Sequence, residues 1–343
     1  MSFPSKNQDA LQKMPPQRLK LTDIARLAGV SRATASYVIN GQARARRISD
    51  ETINHVMAVV ERSGFRIDAQ AAALRRGASR TLGLIVPDLE NASYARLTKL
   101  IERGSRQQGY QLLITDSDDE PATERELALS LRAQGCAALI VATSLPDASD
   151  FYAPLQDSGL PVIALDRPMD PERFICVVSD NEAAAEQLTR SLLTPLPASL
   201  AWLDAMPQLG ITLERRQGFA AAVAGLPVRS FRLCGQRYDR ASGLLLGRQL
   251  LQAPLPEAIV TASYPLLAGL FDAFLETGQG LPQQLRIATF GDDRLLDFIP
   301  LPVHSMPQRH AAIAEMVLEC AIAATLKHYF PGRQTVSRQL RLR

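Results

Sequence analysis

The chain predicts an all-α head followed by an α/β core of two lobes, each built on a parallel, doubly wound sheet. Three observations carry this. Residues 19–66 read as three short helices at amphipathic spacing, separated by a glycine corner and a basic loop. From Thr81 onward, apolar runs alternate with helical segments, as strands covered on both faces require. Charge divides at the same point: residues 1–77 hold 13 Lys and Arg against 6 Asp and Glu, and the other 266 hold 25 against 29. The net charge of +3 therefore conceals a basic head on a mildly acidic body, as expected if only the head meets phosphates.

Length and composition set the outer limits. A chain of 343 residues with 46% hydrophobic content can bury a large core and divides into two or three domains. No apolar run approaches the roughly 18 residues of a membrane span, and the N-terminus lacks a signal-type hydrophobic region, so a cytoplasmic location is expected. Cys136, Cys176, Cys234 and Cys320 are scattered without a CxxC pair and read as buried, reduced thiols. His55, His304, His310 and His328 have no metal-ligand spacing. No metal and no cofactor are expected.

Residues 1–18 are polar, carry Pro15-Pro16 and show no periodicity, which predicts a disordered extension that the rest does not need. The first helix is expected to start at Thr22 as N-cap, with Ile24, Leu27 and Ala28 on one face and Gly29 supplying a left-handed stop. Ser31 caps the second. At about 100° per residue, Thr34, Ala35 and Val38 share its inner face, while Arg32, Ala33, Ser36 and Tyr37 spread over the opposite arc. A short helix carrying small, hydrogen-bonding side chains suits a major groove about 12 Å wide. Two helices around a glycine also occur in enzymes; the basic charge of the head favours DNA. The candidate DNA-contacting residues are Thr22, Ser31, Arg32, Ala33, Thr34, Ser36, Tyr37 and Asn40.

Gly41–Arg47 forms a basic loop whose three arginines can reach the DNA backbone. A third helix starts near Ser49, with Asp50 and Glu51 in its first turn and Ile53, Val56, Met57 and Val60 on its buried face. Ser63-Gly64-Phe65 ends the three-helix unit. Residues 68–77 form an Ala-rich helical stub with Leu74 standing out and Arg75 and Arg76 behind it. So short a helix folds only against a partner or on DNA, which makes it a hinge.

In the core, TLGLIVPD (81–88), YQLLITDS (110–117), AALIVATS (137–144) and LPVIALDR (160–167) predict the strands of one lobe. LAWLDA (200–205), VRSFRLCG (228–235), AIVTASY (258–264) and LRIATFGD (285–292) predict those of the other. Helices are expected over 93–109 and 121–134. Ligands bind beyond the carboxyl ends of such strands. Those ends place Ser93, Tyr94, Ser144, Asp166, Arg167, Ser263 and Asp292 around a cleft, and Arg215 opens a helix of the second lobe. Hydroxyls and carboxylates suit a polyhydroxylated molecule, and Arg167 with Arg215 suggests a phosphorylated sugar. Any of these polar groups could instead cap a helix or cross-link a loop, and Asp166-Arg167 could be an ion pair. The chain has no GxSxG, no GxxxxGK[ST] and no GxGxxG after a strand, which agrees with binding rather than catalysis.

The stretch TDIARLAGVSRATASYVIN resembles the N-terminal signature of the lactose/galactose-repressor family, and the similarity extends over nearly the whole chain from residue 19. Its core resembles periplasmic sugar-binding proteins. IVPDLENASY, GYQLLI, ATSLP, IALDR, ATFGDDRLLDF, PQRH and the basic loop 41–47 are similar to the fructose-responsive members. The resemblance implies a head at 19–66, a hinge helix and linker at 67–79, and a core from 80. It places the first lobe at about 80–178 plus 310–333, and the second at about 179–309 plus 334–343. It also implies that Arg32 and Ala33 face base edges, that Leu74 wedges into a minor-groove step, and that Arg215 and Asp292 hold the effector. Two departures matter: Asp68 stands where many relatives have Asn, and Ala33 cannot donate a side-chain hydrogen bond, so specificity leans on Arg32, Tyr37 and DNA shape.

The implied function is a homodimeric, sequence-specific transcriptional regulator, a repressor with activation left open. It would bind a palindromic operator and be released by fructose 1-phosphate acting between the lobes. Three alternatives stay open. They are a repressor answering another sugar phosphate such as sucrose 6-phosphate, a sugar-binding protein that does not meet DNA, and a sugar-phosphate enzyme.

Overall fold

The structure is a computed structural model describing residues 19–65, 79–278 and 280–343. The extension 1–18 and residues 66–78, with Asp68, Leu74, Arg75 and Arg76, lie outside the described residues. Chain contacts divide into two units, Met1–Ala78 and Ser79–Arg343.

In the first unit, α1 (Leu21–Leu27) does not begin as expected. Thr22 is an exposed residue of the first turn rather than the N-cap; Lys20 takes that place, and Asp23 accepts its backbone N–H at 2.8 Å. A carboxylate three residues in satisfies an orphan donor and complements the helix dipole, so it displaces the threonine. Gly29, at φ +63°, turns the chain. Ser31 caps α2 (Arg32–Ile39) by accepting the Thr34 N–H at 3.0 Å, and Ser49 caps α3 (Asp50–Ser63) by accepting that of Thr52 at 3.3 Å. Ile24, Ala28, Val38, Ala43, Val56 and Val59 form the core of the head. Leu27 and Met57 stay out of it, 58% and 46% exposed, because Ala25 and Val59 occupy the inward arcs of their helices.

In the second unit, the first lobe runs β1 (Thr81–Val86), α4 (Ala92–Gln107), β2 (Gln111–Asp116), α5 (Pro121–Ala133), β3 (Ala138–Val141), α6 (Ala148–Asp157), β4 (Val162–Leu165) and β5 (Ile175–Ser179). The second runs α7 (Asn181–Arg190), β6 (Ser199–Ala205), α8 (Gly210–Val223), β7 (Arg229–Gly235), α9 (Arg240–Leu250), β8 (Ala258–Thr261), α10 (Tyr264–Glu276), β9 (Arg286–Phe290) and β10 (Val303–Met306). The chain then returns to the first lobe with α11 (His310–Thr325), packed on α4, and β11 (Gly332–Val336). Both sheets are parallel, ordered β2-β1-β3-β4-β5-β11 and β7-β6-β8-β9-β10.

Eight strands match the predicted runs, and β5, β10 and β11 are additional. VHSM and GRQTV are short and half polar, so neither has the continuous apolar texture that marks an inner strand. β11 pairs with β5 through Val336, so residues 334–336 belong with the first sheet rather than the second. The edge strand β7 is mostly exposed, and Cys234 on it is exposed rather than buried. Cys136 and Cys176 are buried, Cys320 is half-buried, and all four thiols are free. Close helix packing depends on glycines: a Cβ at Gly218 would overlap the Glu182 carbonyl oxygen between α8 and α7, and one at Gly269 would overlap that of Arg240 between α10 and α9.

Candidate functional site

In the head, α2 leaves Arg32 and Ala33 exposed, with Ser36 and Tyr37 half-buried beside them. The Ser31 and Thr34 hydroxyls bond each other at 2.9 Å, so both serve the cap as well as the outer surface. The Asn40 amide donates to the Ser36 carbonyl at 2.7 Å and closes the helix end. The basic loop turns through Arg44–Arg46 and lays the Arg46 guanidinium 4.8 Å from the centre of the Tyr37 ring, which fixes that ring on the exposed side of α2.

In the core, a cavity of about 390 Å³ lies at the carboxyl ends of the strands, where β1 and β3 and then β6 and β8 change winding direction. Ser93, Tyr94, Asp166, Arg167, Arg215, Ser263 and Asp292 line it. Ser144 does not. Its hydroxyl donates to Asp119 at 2.8 Å and supports the wall from behind, because the β3 end turns away into a loop pinned by the buried Glu124. Ser263 lines the cavity but also caps α10, accepting the Leu266 N–H at 3.4 Å.

Asp166 sits in the left-handed region at φ +63°, a costly backbone for a non-glycine residue. It is held there by Tyr94, which donates at 3.0 Å, and by the Gln308 amide at 2.6 Å. Burial, then the Asp166 charge, pushes the Tyr94 phenol well above its usual range, so it remains a donor. The Ser93 hydroxyl donates to the Gln308 side-chain Oε1 at 2.8 Å and lies 2.8 Å from His310 Nε2. Burial, with Arg96 and Arg338 nearby, lowers His310 to about 4 and leaves the ring neutral.

The three arginines differ sharply. Arg167 is 4% exposed and spends its charge on Asp119 at 2.6 Å within the first lobe. Arg215 donates to the Asn181 side-chain Oδ1 at 3.0 Å and the Ala262 backbone carbonyl at 2.7 Å, with its guanidinium 4.2 Å from the Phe290 ring centre. Arg338 donates to the Met306 carbonyl at 3.2 Å, lies 5.3 Å from the same ring, and leaves its buried Nε without a partner among the described residues. Burial, then the charge of Arg215, pushes Arg338 down to about 9. Neither Arg215 nor Arg338 forms an ion pair with a described carboxylate. Asp166 and Asp180 act on Arg338 only from beyond ion-pairing distance, so two buried cations face one cavity without a direct carboxylate partner among the described residues, an arrangement that can bind an anion.

Gln308, His310, Arg338 and Asp119 were not among the sequence candidates. Gln308 follows β10 and Arg338 follows β11, so the strand-end rule that located the others would have reached both had those strands been recognised. A neighbouring cavity of about 310 Å³ shares Arg167 and is lined by Asp147, Asp150 and Asp170. Its one arginine is already paired. Among the described residues, no cluster of His, Cys, Asp and Glu could hold a metal, and no helix is long and apolar enough to cross a membrane.

The chain is similar to several known proteins. Residues 79–328 match the family described as periplasmic binding proteins and sugar-binding domain of the LacI family, and residues 20–67 match bacterial regulatory proteins of the lacI family. The fructose operon regulatory protein of Vibrio cholerae is 49% identical over 95% of this chain and 100% of its own length. The catabolite repressor/activator of Escherichia coli is 43% identical over 89% and 92%. The crystal structure of the Cra transcriptional dual regulator from Pseudomonas putida in complex with fructose 1-phosphate superposes with a TM-score of 0.74. It shares 46% identity and covers 77% of this chain and 98% of that one. The lac repressor dimer bound to operator, 18% identical with a TM-score of 0.81, shares the fold over 95% of this chain and 98% of its own. With its DNA-reading head, its paired parallel sheets and matches that span both units, the chain belongs to the LacI family of transcriptional regulators.

Proposed function

We propose that this regulator binds a palindromic operator as a homodimer, acts on DNA in the cytoplasm, and is released when fructose 1-phosphate fills the cavity between the lobes. The observation that carries the reading is the pair Arg215 and Arg338: two buried guanidiniums against Phe290 with no ion-pair partner among the described residues. A dianionic phosphate supplies the missing charge and offers acceptors to the free guanidinium donors. The furanose hydroxyls then face Ser93, Asp166 and Asp292, with Tyr94 and Gln308 fixing Asp166. Support also comes from the fructose 1-phosphate bound in the similar Pseudomonas putida regulator.

On the DNA side, Arg32 and Tyr37 read base edges, Ala33 offers an apolar contact, and Arg44, Arg46 and Arg47 hold the backbone. Thr22, Ser31, Thr34, Ser36 and Asn40 frame the contact. Leu74 is assigned the minor-groove wedge on the sequence alone. We assign the cavity a binding role: His310 faces Ser93, and among the described residues no carboxylate hydrogen-bonds its ring as the group orienting a catalytic base would.

Selecting bound duplexes from random DNA, with and without fructose 1-phosphate, tests both halves at once. Enrichment of one palindrome that disappears with fructose 1-phosphate, but not with sucrose 6-phosphate, supports the reading. Enrichment insensitive to every sugar phosphate refutes the effector assignment.

A further inference from the structure

Five described aspartates line the cavity, yet none forms an ion pair with Arg215 or Arg338, and Asp166 acts on Arg338 only at longer range. Each is tied elsewhere. Asp88 accepts the Glu90 N–H at 2.7 Å, Asp119 holds Arg167, Asp166 accepts from Tyr94 and Gln308, and Asp293 caps a short helical turn through the Leu295 N–H at 2.8 Å. Asp292 is restrained most heavily. Its Oδ1 accepts from Ser305 at 2.7 Å and Arg343 at 2.7 Å, and its Oδ2 from Arg341 at 3.1 Å.

Those two arginines lie on the segment that crosses from β11 to the edge of the second sheet. Its backbone bridges Ser305 at 2.9 and 2.8 Å in both directions, which anchors it independently of the side chains. Arg343, its side chain 9% exposed, then bonds the Val303 carbonyl, the Ser305 hydroxyl and Asp297 as well. The same crossing carries Arg338 past the cavity.

We infer that Arg343, assisted by Arg341, is a positioning residue that holds the Asp292 carboxylate on the wall, so that it does not turn inward and become an internal counter-ion for Arg215 and Arg338. Freed of that restraint, a carboxylate at the cavity rim competes with an incoming anion for the two guanidiniums. The inference rests on the proposed phosphate site and adds the device that keeps the site available.

The experiment is the thermal stabilisation of the full chain by fructose 1-phosphate, measured for wild type, Arg343→Ala, Asp292→Asn and the double variant. Arg343→Ala should need about tenfold more ligand for the same shift, the size of one partly buried charge contact. Asp292→Asn removes a sugar-facing carboxylate and sets its own baseline; in that background Arg343→Ala should need no further ligand, because an amide, restrained or not, offers no counter-charge. A merely structural role would make Arg343→Ala cost the same in both backgrounds. Equal ligand requirements in Arg343→Ala and wild type, or an Arg343→Ala cost in the Asp292→Asn background as large as in the wild-type background, overturn the inference. A wild type that is not stabilised at all overturns the phosphate site and the inference with it, and is told apart by being seen without any substitution. Should Arg343→Ala fail to fold, the half-exposed Arg341→Ala gives the same comparison under the same criteria.

Discussion

Arg167 and Arg338 are each more than nine-tenths buried against one cavity, yet their partners set them to opposite tasks. Arg167 is half of a buried ion pair, so Arg167→Ala strands Asp119 and should cost about 3–5 kcal/mol of stability by thermal or urea unfolding. Arg338→Ala removes a buried cation that has no ion-pair partner among the described residues. It should leave stability unchanged or raised, while increasing the fructose 1-phosphate needed for operator release by roughly thirtyfold or more, the loss of a charge-assisted contact of about 2 kcal/mol. His310 predicts a pH effect. Its folded value of about 4 lies below the usual 6.5, so between those two the unfolded chain binds more protons than the folded one. Stability should therefore fall as pH drops from about 6.5 to about 4, and His310→Asn should flatten that slope in urea melts across the range.

Elements with strong local signals were legible in the sequence: the Ser31 and Ser49 caps, the Gly29 corner and eight apolar strands follow from short-range chemistry. What the sequence hid depended on long-range pairing. β10 and β11 become strands because β9 and β5 offer open edges, and their own residues do not announce it. Gln308 and Arg338 were missed with them. Thr22 failed for a different reason, competition from Asp23 one residue away. Packing between helices carries its own prediction. Gly269→Ala forces α10 away from the Arg240 carbonyl and should destabilise the second lobe by several kcal/mol in thermal unfolding, well above the cost of an ordinary overpacked methyl.

At the scale of the molecule, the chain crosses between sheets three times: after β5, after β10 and after β11. Each crossing carries groups that reach the cavity or hold those that do: Asn181 behind Arg215, Gln308 with His310, and Arg338. A ligand gripped there contacts both lobes, the second and third crossings directly and the first through Arg215, so its binding energy depends on the angle between the lobes. The central claim is that a phosphorylated sugar acts through Arg215 and Arg338 to loosen the grip on DNA. The most direct test is fluorescence anisotropy of a labelled, selected operator duplex while fructose 1-phosphate is titrated into wild type, Arg215→Ala and Arg338→Ala. The account predicts that all three bind the duplex equally without ligand, that wild type lets go, and that both variants hold on at the same concentration. Release of either variant at the wild-type concentration contradicts it.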